Sequence, residues 1–465
     1  MRRRILLPQS AARPLIWGSR SLSVTSRASV ASILSSKQPV QDPNAPVEEE
    51  RYQFYDPKIF YPARIGEKLG GKYRLVSKLG WGTTSTVWLA KETKRGWFFQ
   101  SHQYVALKIA NSSDIARENA NQEIEVSTHV LTASTSHPGH QLIRPVIDSF
   151  EIQGTNKAKH LCLVFEALRQ PLSSVGRQLG HNGRLPPRVL RTIVPSILKS
   201  LDFLHTECRT VHTGILNPHC PQDPVFFLTT LDCADLKGDH FMIPFEDPSI
   251  LDEYLRQQKK TPPMLKESQG RPIYESRREF GRLKRGIQIA KLTDFGLAVC
   301  DQKAGTLHFH SIQPLEYTAP EVLFKTGWTY SADIWNLGLV LWELVSNTSL
   351  LDGRAIGQPE FSHFTRYAQM IRLLGPPPAQ LLDRVDKETY SRFYDERGSF
   401  RYPELVPGES FDLRKLTPIV NESDKAKFIS FVRRMLAWLP EDRPTAGELL
   451  SDPWLEEEAD PILNL

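Results

Sequence analysis

The chain has 465 residues, of which 40% are hydrophobic and 24% charged, an ordinary composition for a folded globular protein. No stretch approaches 18 uninterrupted apolar residues, so the sequence predicts no membrane-spanning helix. Five cysteines show neither metal-ligand spacing nor a paired framework, which is typical of a reducing compartment. The net charge of +5 has a local origin: residues 1–41 carry +7, which leaves the rest at −2 and gives no argument for direct nucleic-acid binding.

The N-terminal segment differs in composition from the rest of the chain. Residues 1–41 contain seven arginines and lysines, many serines and no acid. This is typical of a mitochondrial transit peptide, and a disordered basic tail is the alternative. Because prolines and Glu48-Glu49-Glu50 follow, we expect residues 1–50 to be disordered, with ordered structure beginning near 52–61. The protein would be mitochondrial if the segment is a transit peptide, and otherwise cytoplasmic or nuclear.

The first chemical motif is a short loop between two predicted strands. Alternating apolar and turn residues around two close glycines predict a strand, a tight loop and a second strand. Glycines let backbone N–H groups approach phosphate oxygens without a side chain in the way. The candidate nucleotide-binding residues of this loop are Leu79, Gly80, Trp81, Gly82, Thr83, Thr84, Ser85, Thr86 and Val87.

A lysine then interrupts a predicted buried strand. Lys108 lies in the apolar run of residues 104–109, where a charge requires a partner. In the next predicted helix, apolar residues at 124, 126 and 130 place Glu123 beside the inward face. Glu123 is therefore the predicted partner, and Glu125 is the alternative.

Five further motifs follow in order. The apolar run 161–168 is a predicted strand that leads through Phe165 into a connecting segment containing Glu166 and Leu168. Asp294-Phe295-Gly296 follows another short apolar strand, and its carboxylate is a hard oxygen ligand suited to magnesium. The remaining motifs are Ala319-Pro320-Glu321, the helix start around Asp333, and Arg443 in an acidic and proline-rich turn.

Together these motifs resemble those of eukaryotic protein kinases. The similarity is greatest to the serine/arginine-rich protein kinases and fungal kinases like them, and it covers roughly residues 60–456. It rests on Leu79-Gly80-Trp81-Gly82, on His212-Thr213, and on the segment 327–335, Gly-Trp-Thr-Tyr-Ser-Ala-Asp-Ile-Trp. The resemblance implies an α+β, two-lobed kinase fold, with the small lobe over 60–167 and the large lobe over 168–456.

The resemblance also implies a reaction and roles for individual residues. The reaction is transfer of the ATP γ-phosphate to protein serine or threonine, with Mg²⁺ as cofactor. Lys108 and Glu123 would position phosphates, the backbone near Glu166 and Leu168 would bind adenine, and Asp294 would hold the metal. Protein substrates are expected, of the Arg/Ser-rich kind in the family's best-known members, and we expect a monomer. Thr213, in place of the usual arginine, predicts activity without activation-loop phosphorylation.

The catalytic loop of the family is interrupted in this chain. After His212-Thr213 come residues 214–234, and only then Asp235-Leu236-Lys237, which resembles the loop that carries the catalytic aspartate. The resemblance makes Asp235 the residue serving the acceptor hydroxyl and Lys237 the one stabilising transferred charge. The second metal ligand of the family is an asparagine, and here that position is His240, a poor ligand for magnesium.

Three interpretations of residues 214–234 remain open. The segment is a translated, unspliced intron, a true insertion looped away from an intact site, or the mark of a nucleotide-binding pseudokinase that acts as a scaffold. The intron is favoured because removing the segment preserves the reading frame, joins Thr213 to an aspartate, and removes residues with neither helical nor strand periodicity. A second segment, residues 246–290, is expected to be an exposed spacer loop, although docking of a partner is the alternative.

Overall fold

An antiparallel sheet forms the N-terminal part of the computed structural model, which describes residues 45–93, 104–133, 135–154, 157–179, 182–212, 238–283, 286–301, 303–355 and 357–456. Its six strands are Lys68–Leu69 (β1), Tyr73–Trp81 (β2), Ser85–Glu92 (β3), Tyr104–Ala110 (β4), Asp148–Gln153 (β5) and Lys159–Glu166 (β6). They are ordered β1-β2-β3-β4-β6-β5. In β5 partly buried and exposed positions alternate, as expected for a strand with one solvated face.

One helix packs against this sheet. It is Asp114–Thr132 (α1), and it begins at Ser113, whose hydroxyl accepts a hydrogen bond from the backbone N–H of Ala116 at 3.2 Å. Its buried positions recur at helical spacing, and Glu123 is among them. The helix therefore turns one carboxylate toward the sheet.

The C-terminal part is mainly helical. Seven short strands complete the set: Gln170–Pro171 (β7), Thr210–Val211 (β8), Phe241–Ile243 (β9), Leu265–Ser268 (β10), Arg271–Tyr274 (β11), Lys291–Leu292 (β12) and Val299–Cys300 (β13). The helices after α1 are Leu172–Gln178 (α2), Pro187–Thr206 (α3), Ser249–Lys260 (α4), Pro320–Leu323 (α5), Ser331–Ser346 (α6), His363–Leu374 (α7), Ala379–Leu382 (α8), Lys387–Phe393 (α9), Leu413–Leu416 (α10), Glu422–Met435 (α11), Ala446–Leu449 (α12) and Pro453–Glu456 (α13). This sheet-rich and helix-rich division confirms the predicted α+β fold. Within the described ranges, no helix has the length and apolarity that crossing a bilayer requires.

The large core of the helical part is organised around α6. Nearly all its residues are buried, so the helix is enclosed on every side, as expected of a central helix. A buried ion pair closes the core beside it: the guanidinium of Arg443 donates to both carboxylate oxygens of Glu321 at 2.7 Å. This bidentate geometry provides the hydrogen bonds that a pair of buried charges requires.

The segment 246–290 is not the exposed loop expected from the sequence. It contains helix α4 and the hairpin of β10 and β11, and its apolar residues pack against the sheet. Ile250, Tyr254 and Phe280 form one buried cluster with Leu89 of β3. The Tyr254 hydroxyl also donates to the Ser77 hydroxyl of β2 at 2.7 Å. The prediction was wrong because the apolar residues of this segment are spaced too widely to reveal a local core.

Residues 45–50 were also predicted to be disordered, and the structure places them in the folded body. Glu48–Arg51 forms a short 3₁₀ helix against the hairpin and β2. Its buried Glu49 pairs with Lys78 of β2 and, at 2.7 Å, with Arg271 of β11. Burial alone would raise the pKa of Glu49, but Lys78 and Arg271 outweigh burial and hold that pKa below its ordinary value. The predicted basic segment 1–41 and the segment 214–234 lie outside the described residues.

Glu49→Gln is expected to destabilise the protein strongly, because it removes the carboxylate shared by the buried Lys78 and Arg271 and leaves Lys78 only the Glu48 carboxylate at 3.5 Å. The expected loss is about 3 kcal/mol in the free energy of unfolding, measured by urea titration. Glu388→Gln is the matched control, because its pair with Arg392 is largely exposed, and it should give no measurable change.

The difference between wild type and Glu49→Gln should also depend on pH. A carboxylate with a depressed pKa stabilises the folded state above its ordinary pKa and loses that effect as the pH falls. The difference should thus be constant at neutral pH and shrink below about pH 4. A difference that grows on acidification would contradict this assignment.

Candidate active site

The predicted glycine-containing loop joins β2 to β3. The Gly82 N–H donates to the Ser85 carbonyl at 2.8 Å, which closes the turn. Asn111, just after β4, holds the loop: its N–H donates to Thr84 O at 2.8 Å and its Nδ2 to Thr83 O at 3.2 Å. The space around Gly82 is open, so the backbone there can approach a ligand.

An apolar surface continues from this loop into the sheet. Leu79 at the end of β2 and Val87 in β3 pack with Ala106 of β4 and Phe165 of β6. A flat apolar ligand such as a purine base would find its required contacts here. The other predicted loop residues on these two strands are Gly80, Trp81, Ser85 and Thr86.

Three charged side chains from different elements meet beyond this surface. The Lys108 ammonium of β4 lies 2.8 Å from Glu123 Oε2 of α1 and 3.1 Å from Asp294 Oδ1. Burial would lower the pKa of Lys108, but Asp294 and Glu123 outweigh it and raise that pKa above its ordinary value. Glu125, the alternative partner, is exposed and lines the cleft between α1 and β13. The lysine is therefore held charged and fixed between two carboxylates.

Asp294 has Lys108 beside one carboxylate oxygen and His240 beside the other. Its Oδ2 lies 3.4 Å from His240 Nε2, and its φ of 69° is in the left-handed region that few residues other than glycine adopt. Burial would raise the pKa of Asp294, but Lys108 and His240 hold it well below its ordinary value. The carboxylate is thus ionised over the physiological pH range. A left-handed backbone at a charged residue of this kind is typical of a functional site.

The residues present fit a magnesium ion that is completed by other ligands. Asp294 offers hard oxygen atoms, whereas His240 offers only nitrogen. Within the described ranges, no group of three or more His, Cys, Asp and Glu side chains could hold a metal alone. Magnesium in nucleotide sites is usually bound by one or two carboxylates together with phosphates and water, so a single carboxylate is sufficient as the fixed anchor.

Both ends of the interrupted loop are anchored in the core. His212 follows β8, and its N–H donates to Asp333 Oδ2 at 2.8 Å while its Nε2 lies 3.0 Å from Thr293 O. His205 of α3 contacts the same buried Asp333 carboxylate at 2.8 Å. On the far side, His240 leads into β9, which pairs with β7 and β12. The predicted Asp235 and Lys237 fall between these anchors, outside the described residues.

The end of β6 carries contacts that the sequence did not predict. The Glu166 carbonyl accepts two hydrogen bonds from the buried Arg144 guanidinium, from Nε at 2.9 Å and from Nη2 at 2.6 Å. The Glu166 carboxylate pairs with Lys291 of β12 at 2.6 Å. Leu168 is buried. One local signal pointed to Arg144: it is the only charge in the run Leu142-Ile143-Arg144-Pro145-Val146, as Lys108 is in its own strand.

A second arginine missed from the sequence approaches the glycine loop from outside. Arg278, from the segment after β11, donates from Nε to Leu79 O at 2.6 Å. A β-carbon at Gly80 would overlap its guanidinium. Gly80 is therefore required by this close approach, whereas the space around Gly82 is open.

Comparisons with known proteins agree with this geometry. A sequence model described as the protein kinase domain matches residues 283–455. A serine/threonine protein kinase of Aspergillus fumigatus is 33% identical over 426 residues, covering 91% of this chain and 94% of that protein. The serine/threonine-protein kinase SRPK of Physarum polycephalum is 29% identical, covering 88% and 92%. A crystal structure of a kinase domain superposes with a TM-score of 0.58 at 20% identity, covering 86% of this chain and all of that one.

Lys108→Met should weaken the binding of Mg·ATP because it removes the cation that two carboxylates position. A charged hydrogen bond of this kind is worth about 10–100-fold in affinity. Isothermal titration calorimetry would measure the dissociation constant. Lys68→Met, at an exposed position of β1, is the control and should leave affinity unchanged, whereas equal losses in both variants would contradict the assignment.

Proposed function

Because the chain belongs to the serine/threonine protein kinase family, we propose that Lys108, Glu123 and Asp294 form the phosphate-binding end of its active site, with ATP and Mg²⁺ as cofactors. The observation that carries this proposal is the Lys108 ammonium held between the two carboxylates at 2.8 and 3.1 Å. Protein kinases of this family generally use ATP and magnesium. The acceptor is a serine or threonine hydroxyl of a protein.

Each residue contributes a distinct part of phosphoryl transfer. Lys108, oriented by Glu123, donates hydrogen bonds to phosphate oxygens and balances their charge. Asp294 would hold Mg²⁺, which when bound neutralises charge on the transferring group. Asp235 would accept or orient the proton of the acceptor hydroxyl, and Lys237 would stabilise the transferred charge. One face of the base would pack against Leu79 and Val87. The edge of the base would meet the backbone of Glu166 to Leu168.

The interruption of the loop limits the activity of the chain as written. The catalytic aspartate must lie within hydrogen-bond reach of the acceptor, and a displacement of about 1 Å can cost about 10²-fold in rate. Residues 214–234 separate His212, fixed on Asp333, from Asp235. We infer that the form lacking this segment is the competent kinase. The pseudokinase alternative has no support from the relatives, which are named as kinases.

Deletion of residues 214–234 is expected to raise peptide phosphorylation by about 10²-fold or more, because it restores the short connection to Asp235. The measurement is ³²P transfer from ATP to peptides with and without Arg/Ser repeats. Asp235→Asn in the shortened chain should abolish the gain. A shortened chain no faster than the full chain would count against both the intron interpretation and the role of Asp235.

His240→Asn in the shortened chain should lower the magnesium concentration needed for half-maximal rate by about tenfold, because an amide oxygen replaces a nitrogen donor 3.4 Å from Asp294. Initial rates would be measured across a magnesium titration at fixed nucleotide. An unchanged magnesium dependence would show that this position does not contact the metal.

The substrate class follows from the family resemblance and remains part of this proposal. The Physarum relative is named SRPK, which supports Arg/Ser-rich proteins as substrates. Comparing the two peptide types in the deletion experiment therefore tests the preference for arginine. We further propose a monomer, and mitochondrial import through residues 1–41, which a fusion of that segment to a fluorescent reporter would test.

A further inference from the structure

One side chain outside the site, Arg278, holds the start of the glycine loop. Its Nε donates to the Leu79 carbonyl at 2.6 Å, and its guanidinium occupies the space that a β-carbon of Gly80 would need. The pairing of β2 with β3 shifts register between Lys78 and Gly80, so Leu79 is an extra residue that faces no partner on β3. The carbonyl of such a residue is available to a donor from another segment, and Arg278 supplies that donor.

The two residues that Arg278 contacts belong to the proposed nucleotide site. Leu79 is part of the apolar surface proposed for the base, and Gly80 leads from β2 into the loop. Asn111 holds the other side of the loop, because it donates to two carbonyls beside the turn. The loop is therefore fixed from two directions, by Asn111 from the end of β4 and by Arg278 from outside the sheet.

The segment that carries Arg278 is itself anchored beside the connection that follows β6. The Phe280 ring packs on the Tyr254 ring of α4, with 4.6 Å between their centres. The Gly281 carbonyl accepts a hydrogen bond from Nη2 of Arg169, a buried side chain that follows the residues proposed to meet the base edge. Arg278 thus ties the glycine loop to the opposite wall of the base pocket.

We propose that Arg278 is a positioning residue that keeps the glycine loop closed over a bound nucleotide. It acts through Leu79 and Gly80 rather than on the reacting atoms. A loop that lifts to release a nucleotide must give up the hydrogen bond from Arg278, and opening of such a cover limits ligand release in many enzymes. The inference rests on the proposed nucleotide-binding function, whose phosphate and base contacts it leaves unchanged.

The test uses the full chain and two measurements that require no phosphate transfer. Release of fluorescent N-methylanthraniloyl-ADP with Mg²⁺ is followed by stopped flow, and hydrogen–deuterium exchange of residues 79–87 is followed without nucleotide. Arg278→Met should release the nucleotide about 3–10-fold faster, which is the worth of one hydrogen bond at an exposed residue. Exchange of residues 79–87 should also accelerate, because the loop opens more often. Arg278→Lys, which keeps the charge and one donor group, should show smaller changes.

Arg256→Met is the matched control. Arg256 lies in the same segment, on α4, and forms an exposed pair with Glu253. The substitution removes the same charge without touching β2, so release and exchange should both equal those of the wild type. Because Arg278 is also exposed, thermal unfolding of Arg278→Met should match that of the wild type.

A second variant reaches the same contact from the other side. In Gly80→Ala the added β-carbon would displace the Arg278 guanidinium, which is the flexible end of a long side chain. Faster release is therefore expected from Gly80→Ala alone, and little further change when it is added to Arg278→Met. Fully additive effects of the two substitutions would show that the contact is not what holds the loop.

Two other results would overturn the proposal. One is an unchanged release rate in Arg278→Met, and the other is faster release with no change in the exchange of residues 79–87. If Arg278→Met proves unstable, Arg278→Lys and Gly80→Ala decide the matter. A wild-type chain that binds no nucleotide would contradict the proposed function instead, and the exchange data alone would then show whether Arg278 holds the loop.

Discussion

The charge on Lys108 is the constraint around which this structure is assembled. A partly buried ammonium is stabilised by anions that face it, and here the two anions come from α1 and from Asp294, two residues after β12. Satisfying one lysine therefore fixes a helix on the sheet and brings the helical part of the chain to the same point. The left-handed backbone of Asp294 and the histidine on its other oxygen follow from that arrangement. The geometry suited to phosphate is also the geometry that neutralises the lysine.

A second set of buried charges joins segments that are distant in sequence. Glu49 near the N-terminus, Lys78 in β2 and Arg271 in the hairpin are all buried and face one another. Glu50 extends the set through Lys266 at 2.7 Å. None of these residues touches the proposed phosphate site. They set the position of β2, which leads into the glycine loop, so electrostatics outside the site contribute to its shape.

Sequence patterns predicted those features that depend on residues close together along the chain. Helical spacing selected Glu123 over Glu125, and the structure places Glu123 beside Lys108 because the apolar stripe of α1 turns it inward. Glu48 to Glu50 look like a solvated linker when only their neighbours are considered, because Lys78, Lys266 and Arg271 lie far along the chain. Arg144 was missed for a similar reason: its acceptor is a backbone carbonyl, which has no signature in sequence. The sequence between His212 and Gly238 shows neither helical nor strand periodicity, so its secondary structure could not be predicted from the residues alone.

The covering of β2 has a consequence for the behaviour of the protein in a crowded solution. Beyond its short pairing with β1, the outer edge of β2 is occupied, because the Arg277 N–H donates to the Lys78 carbonyl at 2.9 Å and Arg278 contacts the next carbonyl. An open edge strand is a template for pairing with other chains. The opposite edge strand, β5, instead presents Asp148 and Glu151, and charge there discourages the same pairing. Residues 246–290, which supply Arg277 and Arg278, thus protect the sheet from aggregation, a role that selection could maintain independently of catalysis.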